Sequence, residues 1–356
     1  MTFRVNTKSS NTCDLIPIVS TPTMSKFNPY EHMNIRPNPD GTVTRLLNFP
    51  AAKTNADPSS GEPILSKDAI INTEKNTKVR LYLPIKCTSA MKRLPVLFYF
   101  HGCSWVQFTA DNAALHLERQ WTAGSIPAFI ILVLYRLAPE SRLPGQYEDA
   151  EDSLRWLKQQ VLDPDGDQWI KDYADLSRCF LSGSGNGGNI VYNLGLRAVD
   201  MDLDPINIVG LIMNQPMFGG KQRTGSELKF ATDQLIPLPV LDLAWELALP
   251  KGTDRDHRYC NPMLEGPHQE KIKYLPPCLV LGFGMDPLVD RQQQFVQMLL
   301  NHGVKVDAQF DEVGFHRIEI VDARRRVGLI TNIKQFMNSQ LTNSQYANAR
   351  RPVCNS

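Results

Sequence analysis

The stretch Phe180-Leu181-Ser182-Gly183-Ser184-Gly185-Asn186-Gly187-Gly188-Asn189 constrains the fold more than any other part of the chain. An apolar run, Arg178 to Leu181, enters a glycine-dense turn, and a helical pattern of Ile190, Val191, Leu194 and Leu196 leaves it. Strand, tight turn and helix are the frame of a nucleophile elbow, G-x-S-x-G. Counted from Gly183 and Gly187, however, the tip is Gly185, and the frame lacks its serine.

The rest of the sequence supplies strands and helices that suit such a turn. Leu94 to Phe100 and Phe129 to Tyr135 are continuous apolar runs, as strands buried on both faces require. Further strands are expected at Ile208–Met213, Cys278–Gly282 and Val306–Phe310, with an antiparallel pair near Ala69–Ile71 and Val79–Leu83. Helical patterns fall at 113–124, 148–160, 290–301 and 325–338. Alternating β and α segments with short connections give an α/β fold, a mostly parallel central sheet with helices on both faces. Residues 217–265 break that rhythm and read as an insertion over the strand ends. The division expected is a flexible extension at 1–26, a single domain at 27–339 and a disordered tail at 340–356. Lid parts are expected at 27–65 and 217–265.

Three polar stations follow predicted strands, where ligands sit in open α/β sheets. They are the elbow at Gly185, Asp286 after the strand ending at Gly282, and His316 after the strand ending near Phe310. Their order along the chain, elbow then Asp then His, is that of α/β-hydrolase triads. His101-Gly102-Cys103-Ser104 follows an early strand, where such folds place a second oxyanion donor.

Composition narrows the partners. A net charge of +1 argues against a nucleic-acid or acidic-membrane surface. No apolar run reaches the roughly 18 residues that a bilayer demands. Seven scattered cysteines without a C-x-x-C pair suit a reducing compartment and no structural zinc. A small-molecule ligand, no cofactor and no metal are expected, in the cytoplasm. The Ser/Thr-rich first 23 residues read either as an extension ahead of Met24 or as a plastid transit segment.

The chain resembles the plant carboxylesterases, α/β-hydrolases of the hormone-sensitive-lipase group, over roughly Asn28 to Asn338. The motifs that carry the resemblance are Pro39-Asp40-Gly41-Thr42, Tyr135-Arg136-Leu137-Ala138-Pro139-Glu140, Gly187-Gly188-Asn189 and Arg255-Asp256-His257-Arg258-Tyr259-Cys260-Asn261-Pro262. The resemblance implies that Asp286 and His316 take the family's Asp and His roles and that Gly185 stands in the serine's place. It puts Gly102, Cys103 and the Asn186 amide at the oxyanion hole, with the family's His-Gly-Gly-Gly altered to His-Gly-Cys-Ser. Trp105 and Ser104 are expected to line the substrate pocket, Trp105 with a core position as the alternative.

Without an oxygen at 185 there is no acyl-enzyme, and ordinary esterase activity should be negligible. His316, oriented by Asp286, would instead move a proton in an elimination, cyclisation or isomerisation, since histidine suits proton transfer near neutrality. Relatives that resemble dehydratases and alkaloid cyclases carry such chemistry on this fold. The alternatives are an esterase inactivated by Ser→Gly and a small-molecule receptor; the family's gibberellin receptors keep the serine and lose the histidine. Other oxygens or sulfurs near the elbow have blander readings. Ser184 should point away from His316, and Cys103 should be an inert packed thiol. Gly183, Gly185 and Gly188 also spell G-x-G-x-x-G, but no acidic residue ends the next strand, as dinucleotide binding would want.

Overall fold

A computed structural model of the chain describes residues 27–47, 49–88 and 93–349. The expected extension at 1–26 and the last residues of the tail lie outside them. An N-terminal arm forms a short hairpin, β1 (Ile35–Pro37) and β2 (Val43–Arg45), around the Asn38-Pro39-Asp40-Gly41 turn. Asp40 accepts from the Thr42 amide at 2.9 Å, which closes the turn.

The remaining strands are β3 (Ile64–Asn72), β4 (Thr77–Pro84), β5 (Leu94–Phe100), β6 (Phe129–Leu134) and β7 (Ala174–Ser184). They continue with β8 (Ile208–Asn214), β9 (Cys278–Phe283) and β10 (Val306–Asp311). All eight join one sheet in the order β10-β9-β8-β7-β5-β6-β4-β3. From β10 to β6 the neighbours are parallel, and β4 and β3 add an antiparallel edge. β5 is buried at every residue, as its unbroken apolar run demands. Its central place and that of β7 put the elbow at the middle of the sheet's carboxyl edge.

Helices cover both faces and divide the core in two. On one face, helices Gly145–Leu162, Asn186–Ala198 and Val289–Asn301 pack against Phe98, Leu181 and Met213. On the other, helix Ala113–Ser125 and the closing helix cover Leu97, Phe180 and Ile212. Asn112 starts the first of these by accepting from the Leu115 amide at 3.1 Å.

The closing helix runs Ala323–Ala349, past the Asn338 end read from the sequence and into the stretch expected to be a disordered tail. Nothing between Asn338 and Ala349 is Gly or Pro, and Leu341 still packs on the second core, so no breaker stops the helix there. Among the described residues no helix is long and apolar enough to cross a membrane.

Candidate active site

β7 delivers the chain to the elbow in a conformation that glycine favours. Gly185 has φ 56° and ψ −124°, outside the regions open to most side chains. Its amide donates to Asn214 O at 3.0 Å, and its carbonyl accepts from Gly188 at 3.0 Å and Met217 at 2.9 Å. Strand, turn and helix are thereby pinned on both sides. A Cβ at Gly183 would overlap the Gly187 backbone, which is why the helix leaves so close to the strand it follows.

Asp286 and His316 arrive on adjacent loops, tied by the Met285 amide to Gly314 O at 3.0 Å. His316 Nδ1 lies 2.8 Å from Asp286 Oδ2. Asp286 has no exposed surface, and its oxygens also accept from the Leu288 amide at 2.9 Å and Gln292 Nε2 at 3.2 Å. A carboxylate so held can only accept from Nδ1, which leaves Nε2 free to face the cavity. A Cβ built on Gly185 would stand 3.8 Å from that Nε2, in ordinary contact. The elbow, Asp286 and His316, separated along the sequence, therefore meet in space.

The loop after β5 departs from expectation. Its positive-φ residues are Ser104 (50°) and Trp105 (70°). The Cys103 amide, read from the sequence as an oxyanion donor, instead donates to Asn186 Oδ1 at 2.7 Å. Asn186 Nδ2 donates to Tyr135 Oη at 3.0 Å, and that hydroxyl donates to His101 O at 2.6 Å. The Asn186 side chain, next to Gly185, thus holds the amide. The backbone N–H groups of Gly102 and Asn186 have no acceptor among the described residues, and both residues line the cavity.

Trp105 is corrected too. It has no exposed surface and packs against Tyr147 and Trp245, because two successive positive-φ residues turn it into the core. Ser104 does line the cavity.

Neither substitute nucleophile reaches His316. Ser184 Oγ sits on the opposite side of β7, 3.1 Å from Tyr99 Oη and 3.3 Å from Asn214 Nδ2. Cys103 Sγ lies 3.4 Å from Tyr135 Oη, and burial pushes its thiol up to about 11, far from a thiolate at neutrality.

The cavity over Gly185 has a volume of about 340 Å³. His32 and Asn34 of the arm and Leu235, Ile236, Val240 and Leu241 of the insertion cover it. His32 Nε2, 3.1 Å from Leu235 O, joins the two.

Arg317 was not singled out by residue type or motif. This residue, held at φ 62°, places its guanidinium beside Gly102 and within 3.1 Å of Glu319 and 3.7 Å of Glu118. Nothing in residue type or spacing would have joined Glu118 to it across the sheet. Burial, with the Arg317 and Arg119 charges, pushes His101 down to about 3, so the imidazole under the loop stays neutral. Among the described residues no three His, Cys, Asp or Glu side chains group as a metal site.

A family model described as alpha/beta hydrolase fold matches residues 97–319. Probable carboxylesterase 9 of Arabidopsis thaliana is 47% identical, covering 88% of this chain and 98% of the relative. A 3-O-acetylpapaveroxine carboxylesterase of Papaver somniferum is 43% identical, over 87% and 99%. A gibberellin receptor of Arabidopsis thaliana is 32% identical, over 80% and 84%. An esterase of Pyrobaculum calidifontis shares the fold with a TM-score of 0.64 at 22% identity, over 80% of this chain and 85% of that one.

Proposed function

The chain belongs to the alpha/beta hydrolase family that holds the plant carboxylesterases, and from that premise we propose an enzyme that works without an acyl-enzyme. In this reading Gly185 occupies the place of the family's serine. His316, oriented by Asp286, is the general base and acid in a non-hydrolytic elimination, cyclisation or isomerisation of a plant specialised metabolite such as an alkaloid. The observation that carries it is a His316 Nε2 that faces a covered cavity with no side-chain oxygen at 185, while its Nδ1 is anchored at 2.8 Å.

For an elimination, Nε2 would take a proton from a carbon next to a carbonyl, and the electron pair would expel a leaving group on the neighbouring carbon. The imidazolium would return its proton to that leaving group. In this reading the amides of Gly102 and Asn186, both of which line the cavity, would donate to the enolate oxygen. The lid formed by the arm and the insertion would exclude water that could quench it. Similarity to an enzyme named for 3-O-acetylpapaveroxine supports a substrate of that kind.

The test is turnover. Hydrolysis of p-nitrophenyl acetate by the chain should be indistinguishable from background, because loss of the serine in such a triad costs about 10⁶ in turnover. Incubated with a plant metabolite extract, the protein should deplete a compound that the His316→Ala variant binds but leaves unconverted. Vigorous ester hydrolysis would sink the reading. Similarity to a gibberellin receptor favours one second reading, a binding protein, in which a ligand is retained and neither protein converts it.

A further inference from the structure

We propose that the chain carries a second small-molecule site, across β7 from His316, for a neutral molecule with an apolar ring body and a hydroxyl or carbonyl oxygen. A cavity of about 430 Å³, larger than the one over Gly185, lies between helix Ala113–Ser125 and the closing helix. Leu97, Leu117, Trp121, Leu329, Ile330 and Ile333 form its apolar walls. Apolar walls around a few converging polar groups are the usual construction of a small-molecule site.

Its floor supplies those polar groups. Alternation along β7 sends Ser184 to this side while the tip faces His316. Ser184 Oγ accepts from Asn214 Nδ2 and pairs with Tyr99 Oη. Whichever hydroxyl donates in that pair, the other keeps a proton for an acceptor oxygen on a ligand. Arg119 is 4% exposed and lies over the Tyr99 ring at 3.6 Å, yet its Nε has no hydrogen-bond partner. A buried donor left so is costly unless a ligand or water meets it.

The charges decide for a neutral ligand. Glu118 pairs with Arg119, Glu319 with Arg317, and Arg326 donates to the carbonyls of Glu319 and Ile320. Arg326, the cation without a carboxylate among these, is half-buried and already held by those carbonyls and the Trp121 ring at 5.6 Å, so the buried floor keeps no unpaired charge for an ion. Phe108, Leu115 and Ile320 form the wall shared with the cavity over His316. The site itself does not depend on what His316 does.

Photolabelling with 4-hydroxybenzophenone, an aromatic ketone with one hydroxyl, tests it on the full chain. Mass mapping should place adducts on peptides covering 113–125 and 323–341. Ile330→Trp, which fills the cavity, and Leu117→Arg at its exposed rim should each lower that labelling about tenfold. Adducts confined to residues 235–241 and 288, or yields unchanged by the substitutions, would overturn the proposal. Circular dichroism checks the Ile330→Trp fold; should that variant not fold, the rim substitution decides alone.

Discussion

At the residue scale, the proposed chemistry turns on Gly185, a tip without a side-chain oxygen. A Cβ at 185 would lie 3.8 Å from His316 Nε2, so a serine Oγ there falls within hydrogen-bond reach. Gly185→Ser should therefore bring ester hydrolysis well above the wild-type background, read with p-nitrophenyl acetate. The same change forces a side chain to φ 56° and ψ −124°, a cost of about 1–3 kcal/mol, and the melting temperature should fall by a few degrees. A stable variant that hydrolyses nothing would shift the blame to the Cys103 amide that Asn186 holds. That Gly185 and Asp286 would stand at strand ends was legible in the sequence because each follows an apolar strand, whereas His316 follows the half-exposed edge strand Val306–Asp311 and was placed by its order after the other two. The Cys103–Asn186 bond and the turning-in of Trp105 were not legible, because both depend on loop dihedrals that residue types leave open.

At the scale of elements, buried strands and amphipathic helices were legible in kind and order, and some nearly to the residue. Phe129–Leu134 and Val289–Asn301, for example, match their expected ranges within one position. Short pieces were missed, such as the helices Pro29–His32 and Gln168–Tyr173, which have too few turns to show a period. The arm is the least legible element, since tertiary contacts hold it. Arg45 donates from Nε to Val106 O at 2.5 Å and from Nη2 to Ala138 O at 2.9 Å, and it pairs with Glu140. The ion pair is partly exposed and contributes little, so the carbonyl bonds do most of the anchoring. Arg45→Ala should accelerate hydrogen exchange across 27–47 and weaken ligand retention over His316, while the global melting temperature moves little. Unchanged exchange in the arm would show that the hairpin holds itself.

At the scale of the whole molecule, stability against acid should record how deeply the loop after β5 is buried. His101 is 1% exposed, stacks on Tyr135 with ring centroids 4.6 Å apart, and leaves both ring nitrogens unpartnered. Its pKa falls from an ordinary 6.5 to about 3 on folding, chiefly through burial and then through Arg317 and Arg119. Between those values the unfolded chain binds a proton that the folded chain refuses, so the unfolded state gains. The stability tied to a neutral His101 is thus complete above pH 6.5 and is lost as pH falls toward 3. Near pH 4.5 the loss is on the order of 2–3 kcal/mol. His101→Leu removes the titrating group, so its urea midpoint should drop less than the wild type's between pH 7 and pH 4.5. Because every other acid and base is common to the two proteins, parallel slopes would mean that the His101 pocket admits water and the proton. The loop bearing Gly102 would then be wetter than a rigid donor to a substrate oxygen can be, and the proposed chemistry at His316 would lose its electrostatic support.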